Sequence, residues 1–218
     1  MNDQTSASAP SSGAEEAAPV TRKRPKPGER RVQILQALAA MLEQPGAERV
    51  TTAALAARLE VSEAALYRHF ASKAQMFEGL IDFIEQSVFS LVNQILDQPA
   101  PESGAAGSSK AARIIAMLLQ FAEKNPGMTR VMVGDALVFE NERLQQRMNQ
   151  FFDKIESTLR QSLREVAAAD GSATPTVDAQ VRASALTAFA VGRLQRFARS
   201  GFKRLPSEYL EASVELML

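Results

Sequence analysis

The sequence contains no cysteine and only one histidine, His69, and these two scarcities exclude several classes of site. Without cysteine the chain has no disulfide, thiolate zinc site, iron–sulfur cluster or cysteine nucleophile. One histidine leaves little basis for a hydrolytic triad and none for a multi-histidine metal centre. Glycine-rich phosphate loops and metal-ligand spacings are also missing. We therefore expect a protein that is not an enzyme and that uses no cofactor or metal.

Long apolar runs are absent as well. No stretch approaches the 18 or so residues that a membrane span needs, and the acidic N-terminal region lacks the apolar segment of a signal peptide. The formal net charge is zero, with 25 Lys plus Arg against 25 Asp plus Glu, so any nucleic-acid surface must be local. The 218 residues, 45% hydrophobic and 23% charged, are typical of a globular chain that buries a core.

The N-terminal region, residues 1–27, is predicted to be a disordered arm with a basic end, because Ser, Ala, Pro and Gly dominate it and no apolar periodicity appears. Residues 1–20 hold three acids and no base, whereas residues 21–31 hold six bases and one acid. Two interpretations of the basic end stay open: a solvated tail, or an extension that binds phosphate in front of the first helix.

Beyond the arm the chain is predicted to be all-α, since apolar residues recur three and four positions apart and no long alternation suggests a strand. A domain over 28–75 precedes a C-terminal helical domain over 76–218, with Pro- and Gly-rich loops at 97–110 and 170–176. An apolar segment near 128–139 and an amphipathic one after Pro206 complete the pattern. Helices are expected over about 28–43, 52–59, from Ser62, from Lys73, and over 110–124, 141–168 and 178–202.

The stretch from Thr51 to Phe70 has the length and capping residues of a helix-turn-helix. Its second helix opens at Ser62 and carries only small or acidic residues in its first turn, so it can enter a DNA major groove about 12 Å wide. Threonine hydroxyls at the start of the first helix suit phosphate oxygens. The candidate DNA-binding residues are Thr51, Thr52, Ser62, Glu63, Ala64, Ala65, Tyr67, Arg68, His69 and Lys73.

The string SEAALYRHFASKAQMFEGLI, residues 62–81, resembles the signature of TetR-type regulators. The resemblance implies a TetR-like fold in which a three-helix N-terminal module binds DNA and the C-terminal helices form a dimer, usually around an inducer pocket. It also implies that Tyr67, His69 and Lys73 clamp phosphates, while residues near Thr52 and in the first turn of the second helix lie near bases. Each of these side chains also has a purely structural interpretation, as a packing or solvated residue.

Residues 123–165 and 189–206 are similar to a nucleoid-occlusion branch of this family, whose members inhibit cell division. The similarity covers roughly residues 30–206. It implies a cytoplasmic, nucleoid-associated homodimer that binds palindromic sites on double-stranded DNA and antagonises assembly of the tubulin-like protein FtsZ over the nucleoid. The alternative is a ligand-responsive repressor of the same fold, with an effector cavity among Phe121, Met132, Phe139 and Phe189.

The two long C-terminal helices predict the dimer interface. The first carries an apolar stripe wider than one neighbouring helix needs, and the second carries small residues that allow close helix approach. Two such helices from each subunit would form a four-helix bundle, unless both stripes are used inside one protomer. The candidate interface residues are Phe152, Ile155, Leu159, Ala188 and Gly192.

The helix that begins at Lys73 is predicted to bury a stripe that includes Phe77, Ile84 and Leu91, which would leave Met76 and Phe83 off the core face. A strip on the helix over 110–124 lies beside its apolar face. The resemblance implies that a groove between these two helices takes the C-terminal tail of FtsZ. Alternatively, Phe83 packs on the DNA-binding module and Lys124 only complements a helix C-terminus. The candidate partner residues are Met76, Phe83, Met117, Gln120, Lys124 and Asn125.

Overall fold

The computed structural model describes residues 28–44, 50–98 and 106–218, and every regular element in these ranges is helical. This confirms the all-α prediction. The predicted arm over 1–27 and residues 99–105 of the predicted loop lie outside the described residues. The helices are α1 Glu29–Leu42, α2 Thr52–Arg58, α3 Glu63–Tyr67, α4 Lys73–Asp97, α5 Ala106–Lys124, α6 Pro126–Met132, α7 Glu142–Ala169, α8 Pro175–Arg199 and α9 Leu210–Glu215.

Side-chain caps fix the starts of the helices in the N-terminal module. The hydroxyl of Thr51 accepts the Ala54 amide at 3.1 Å, and the hydroxyl of Ser62 accepts the Ala65 amide at 3.3 Å. Ser72 caps α4 in the same way. These contacts satisfy amides that have no partner within the helix, so the three boundaries fall where the sequence predicts them.

The N-terminal module has a small core in which α1, α2, α3 and the start of α4 meet. Large apolar side chains from each helix are buried there, and the ring of Phe70 closes the end of the helix-turn-helix. The core residues are Ile34, Leu38, Leu42, Leu55, Leu66, Phe70 and Phe77. This core is continuous with that of the C-terminal domain, so the DNA-binding module is packed against the rest of the protein.

Helix α4 joins the two domains, and its buried face differs from the predicted one at two positions. Met76, expected on a partner surface, is buried. It lies four residues before Leu80 and so faces the same side of α4, a helix against which both α1 and α6 pack. Leu91 is exposed and Val92 is buried instead, because the stripe advances by four residues after Val88.

Helix α6 attaches the C-terminal domain to the DNA-binding module by packing against α1. Gly127 sits at the contact, where an added Cβ would lie 1.9 Å from the carbonyl oxygen of Ala39. Beyond α6, a 3-10 turn over Asp135–Leu137 leads into α7, and a short loop joins α7 to α8. These two helices pack along each other and against α5. Among the described residues, no helix has the length and hydropathy to cross a bilayer.

Candidate DNA interface and partner surfaces

The turn between α2 and α3 presents the first turn of α3 to solvent. Glu60 adopts a left-handed backbone conformation with φ of 54°, and the Val61 amide bonds back to the carbonyl of Ala56. Ser62, Glu63 and Ala64 are exposed as a result. The side chains expected near bases therefore lie together on one surface, with the buried Leu66 behind them.

Polar side chains link the exposed faces of α2 and α3. The Thr52 hydroxyl donates to a carboxylate oxygen of Glu63 at 2.6 Å, and the Tyr67 hydroxyl lies 3.5 Å from the Thr52 oxygen. The hydroxyls of Thr51 and Ser62 cap their own helices. Three of the predicted DNA-binding residues thus form one cluster, and an exposed carboxylate there can accept from the cytosine amino group in a major groove.

Arg31 ties the start of α1 to the end of the helix-turn-helix. Its guanidinium donates to the carbonyl of His69 at 2.5 Å and lies 4.1 Å from the centre of the Phe70 ring. The side chains of Arg68 and His69 are exposed beside it. Sequence reasoning placed Arg31 only in a basic run, because no local pattern signals a contact between residues 38 positions apart.

Lys73, the predicted phosphate clamp at the start of α4, is paired with a carboxylate. Its ammonium lies 2.5 Å from Glu140, which ends the connection between α6 and α7. The Lys73 side chain is 28% exposed and that of Glu140 only 11%. Sequence reasoning missed Glu140, which lies 67 residues away and belongs to no recognisable motif. The phosphate contact of Lys73 stays a prediction.

Five of the six candidate partner residues have exposed or partly exposed side chains. Phe83, Gln120 and Lys124 are exposed, and Met117 is half-buried against the core. The Asn125 amide donates to the Phe121 carbonyl at 2.7 Å and so closes the end of α5. The buried Met76 cannot contact a partner, which corrects that prediction. The spacing of residues along one helix does not show which of its side chains are covered by neighbouring helices, so it cannot identify every exposed residue.

Gln120 also borders an open groove of about 600 Å³ between α5 and α9. Ala112, Ala116, Val214 and Leu218 supply its apolar lining. Gln120 therefore lies on the side of α5 that faces α9, a neighbour that the sequence analysis did not assign to this helix.

The predicted dimer interface is partly wrong. Ile155 and Leu159 are completely buried inside one protomer, because α5 and α8 of the same chain cover that side of α7. Phe152 is half-buried, Ala188 is exposed, and a Cβ added at Gly192 would meet nothing within 4 Å. These three positions remain available to a second copy.

Helix α8 exposes two further apolar residues in the stripe that contains Ala188. Val177 and Val181 are 58% and 63% exposed, although both are β-branched and apolar. Positions 177, 181, 184, 188, 191 and 195 follow spacings of four and three residues and so share one face of the helix. The exposed apolar face of α8 is thus longer than predicted.

Phe139 and Met132, two of the four residues expected to line an effector cavity, lie in different surroundings. Phe139 is 67% exposed and so lies at the surface, whereas Met132 is buried and lines a different groove with Phe152 and Val191. The predicted cavity therefore lacks one of its walls. The sequence predicts a core position for Phe139 because phenylalanine is usually buried. Outside a helix there is no periodic pattern that would show that this one is exposed.

The N-terminal and C-terminal parts of the chain match two different protein-family models. Residues 34–80 match the family described as bacterial regulatory proteins, tetR family, and residues 108–218 match a SlmA-like family described as tetracyclin repressor-like, C-terminal domain. The chain is 50% identical over 188 residues to the nucleoid occlusion factor SlmA of Idiomarina loihiensis, covering 86% of this chain and 93% of the relative. It is 52% identical over 179 residues to SlmA of Vibrio cholerae, covering 82% and 88%.

Solved structures share the fold at much lower identity. The fatty acid degradation regulator FadR of Bacillus halodurans superposes with a TM-score of 0.69 at 16% identity, covering 90% of this chain and 96% of that one. FadR of Bacillus subtilis, solved in complex with stearoyl-CoA, gives 0.68 at 15% identity, covering 85% and 96%. At this identity the likeness establishes the helical architecture alone.

Proposed function

The chain belongs to the SlmA family of TetR-type regulators, and from this premise we propose that it is a nucleoid occlusion factor. In this proposal a homodimer in the cytoplasm binds palindromic sites on the chromosome through two helix-turn-helix modules. The DNA-bound protein antagonises assembly of FtsZ over the nucleoid. Cell division is thereby directed away from unsegregated DNA.

The C-terminal half carries the proposal. A helix-turn-helix module is common to many regulators, and the fold is shared with FadR, which was solved with an acyl-CoA. The identity to SlmA of about 50%, in contrast, extends over nearly the whole length of the relatives. Function depends on the site rather than the fold, so similarity in the half that does not bind DNA is the informative part.

The arrangement of α2 and α3 supports the DNA-binding part. The first turn of α3 is exposed, as entry into a major groove requires, and the hydroxyls of Thr52 and Tyr67 lie close to Glu63 in that turn, which supports their contact with the DNA backbone. Two such modules related by a two-fold axis require half-sites about one helical turn apart, so the preferred duplex is a pseudo-palindrome.

Chromatin immunoprecipitation separates nucleoid occlusion from local repression. We expect many sites distributed over the chromosome, because an occlusion factor must mark the nucleoid as a whole. Occupancy confined to one or two promoters would instead support a ligand-responsive repressor and contradict the proposal. Fusions to a fluorescent protein provide a second readout, since the same protein should coincide with the nucleoid in dividing cells.

The tail of FtsZ is proposed to bind between α4 and α5. Phe83 is an aromatic residue that the core of α4 leaves exposed, and Lys124 is an exposed cation at the end of α5. Met117 of α5 is half-buried against the core and would form the apolar floor of the groove between α4 and α5. Exposed apolar surface beside a basic group suits a short segment of mixed apolar and acidic character.

Two substitutions test this partner surface separately from DNA binding. Phe83→Ala and Lys124→Glu should each weaken binding of an FtsZ tail peptide at least several-fold while leaving affinity for operator DNA unchanged. Leu216→Ala, which truncates an exposed apolar residue outside α4 and α5, is the matched control and should retain both activities. Unchanged peptide affinity in both variants would show that the tail does not bind at this surface.

A further inference from the structure

Glu140 contacts the DNA-binding module although it belongs to the C-terminal domain. Its carboxylate lies 2.5 Å from the ammonium of Lys73 at the first residue of α4. The backbone amide of Glu140 bonds to the carbonyl of Leu137, and Asn141, the next residue, caps α7. The carboxylate is therefore held by an ordered connection between two helices rather than by a free loop.

The burial of this pair is uneven. The Glu140 side chain is 11% exposed and that of Lys73 is 28% exposed, so most of the Glu140 side chain is shielded from water and the ion pair with Lys73 compensates its charge. Lys73 keeps an open side, and its ammonium lies 5.7 Å from the Phe77 ring. A phosphate could approach only from the open side.

We infer that Glu140 restrains DNA binding by competing with the phosphate backbone for Lys73. This inference rests on the proposed DNA-binding function and on the prediction that Lys73 contacts a phosphate. While the ion pair is closed, the Lys73 charge is neutralised and attracts no phosphate. A phosphate that reaches the ammonium also brings a second negative charge close to a poorly hydrated carboxylate, so binding must open or weaken the pair.

The same contact couples the two domains. Any event that moves the connection before α7 changes how strongly Glu140 holds Lys73, and DNA binding in turn releases that connection. The Glu140 carboxylate and a DNA phosphate thus compete for the same Lys73 ammonium. Glu140 is a positioning residue, because it affects the DNA interface only through Lys73.

Glu140→Gln tests the inference, because the amide keeps the size of the side chain and an acceptor for Lys73 but removes the charge. Affinity should be measured by fluorescence anisotropy with an operator duplex and a scrambled duplex over a series of salt concentrations. We expect about 3- to 10-fold tighter binding to both duplexes and a salt slope steeper by up to about one unit, since one more cation is available to the phosphates.

A matched variant and a double variant make the result specific. Glu142→Gln removes the same charge from an exposed position two residues away, for which the described residues include no ion pair, and should change affinity less than twofold. Lys73→Ala should weaken binding to both duplexes and flatten the salt slope by the part of one phosphate contact that the parent protein retains against Glu140, so that the slope changes of the two single variants together come to about one unit. Adding Glu140→Gln to Lys73→Ala should then change affinity less than twofold, as Glu142→Gln does, because only the through-space repulsion between the carboxylate and DNA remains when Lys73 is gone.

The outcomes separate failure of this inference from failure of the proposed function. If Lys73→Ala weakens binding but Glu140→Gln leaves the affinity and salt slope unchanged or lowers them, Glu140 does not compete with DNA. If Lys73→Ala itself changes nothing, Lys73 does not contact phosphate and the inference is overturned with that part of the interface. Thermal melting of each variant confirms that the compared proteins are folded.

Discussion

Gly127 lies where α6 packs against α1, and at this residue the backbone leaves no room for a side chain. A Cβ there would come 1.9 Å from the Ala39 carbonyl oxygen and 2.9 Å from its carbon. Backbone atoms cannot rotate away, so Gly127→Ala must push the two helices apart. We expect a loss of about 2 kcal/mol in the free energy of unfolding and a weakened DNA affinity, measured by thermal denaturation and anisotropy.

Gly79 provides the matched control for Gly127→Ala. It also lies in a helix, but a Cβ there would meet only side chains, 3.0 Å from the Phe70 ring and 3.3 Å from Leu35. Side chains can adjust, and alanine favours a helix by up to about 1 kcal/mol over glycine. Gly79→Ala should therefore remain within about 1 kcal/mol of the parent protein. If the two variants melt alike, α1 and α6 can separate without a loss of stability, and the close contact at Gly127 does not hold the two domains together.

Individual site residues were predictable where the signal is local. Thr51 and Ser62 are polar residues immediately before short helical patterns, and both cap helices as such positions should. Glu140 could not be found in this way, because its importance comes from a tertiary contact with Lys73. The pattern of α4 alone predicts that Met76 is exposed. Because two neighbouring helices, α1 and α6, pack against α4, a wider face of this helix is buried and includes Met76.

At the scale of elements, ion pairs join α4 to α7 along their contact. Arg147 binds Asp82 at 2.9 Å and Glu85 at 2.8 Å, and Lys154 lies 3.8 Å from Glu85. Burial alone would lower the pKa of Arg147. The negative charges of Asp82 and Glu85, and the hydrogen bonds that Arg147 donates to them, outweigh this effect and raise the pKa. The arginine is therefore more strongly basic in the folded protein than in the unfolded chain.

Removing Arg147 should destabilise the protein more than removing its neighbour Arg143. Arg147 is 24% exposed and its loss leaves Glu85 without its nearest cation, so we expect Arg147→Ala to cost about 1–3 kcal/mol of unfolding free energy. Arg143 is 74% exposed and lies 3.9 Å from Glu78, so Arg143→Ala should cost less than about 0.5 kcal/mol. Chemical denaturation of both variants measures the difference.

The pH dependence of the Arg147 contribution follows from the sign of its pKa shift. A base whose pKa is raised by folding contributes stability that is complete below its unfolded pKa and is lost only as pH rises through the folded value. Both lie far above neutrality, so the difference between Arg147→Ala and the parent protein should be the same at pH 6 and pH 9. A difference that shrinks over this range would assign the effect to another group.

The helices themselves were largely predictable, and the misses have a physical cause. Amphipathic patterns identified α1, α4, α7 and α8 to within three residues at the predicted ends, because a long buried face leaves a strong period in the sequence. The start of α5 at Ala106 was missed, since Gly and Ser near that end weaken the helical pattern. Tertiary packing of the apolar turns that follow outweighs this local weakness.

At the scale of the whole molecule, packing places the DNA-binding module and the α7–α8 face in one continuous body. Helix α4 extends from the module into the C-terminal core, α6 rests on α1, and α7 is tied to α4 by the ion pairs of Arg147. A change in the separation of two protomers at α8 would therefore move their recognition helices as well. In a dimer formed through α8, the geometry of the dimer and the operator spacing would be linked for this reason.

The exposed face of α8 supplies the test of the dimer. Val181 is 63% exposed in the protomer and shares its face with Ala188 and with the open position at Gly192. In a four-helix bundle of two protomers, Val181→Glu would bury an unpaired carboxylate at a cost of several kcal/mol, while the protomer itself would lose no buried contact of comparable size. Sedimentation should then show a folded monomer with much weaker binding to a palindromic duplex. Leu216→Glu places the same charge on an exposed apolar residue of the C-terminal segment and should stay dimeric; if Val181→Glu also sediments as a dimer, the interface lies on another face.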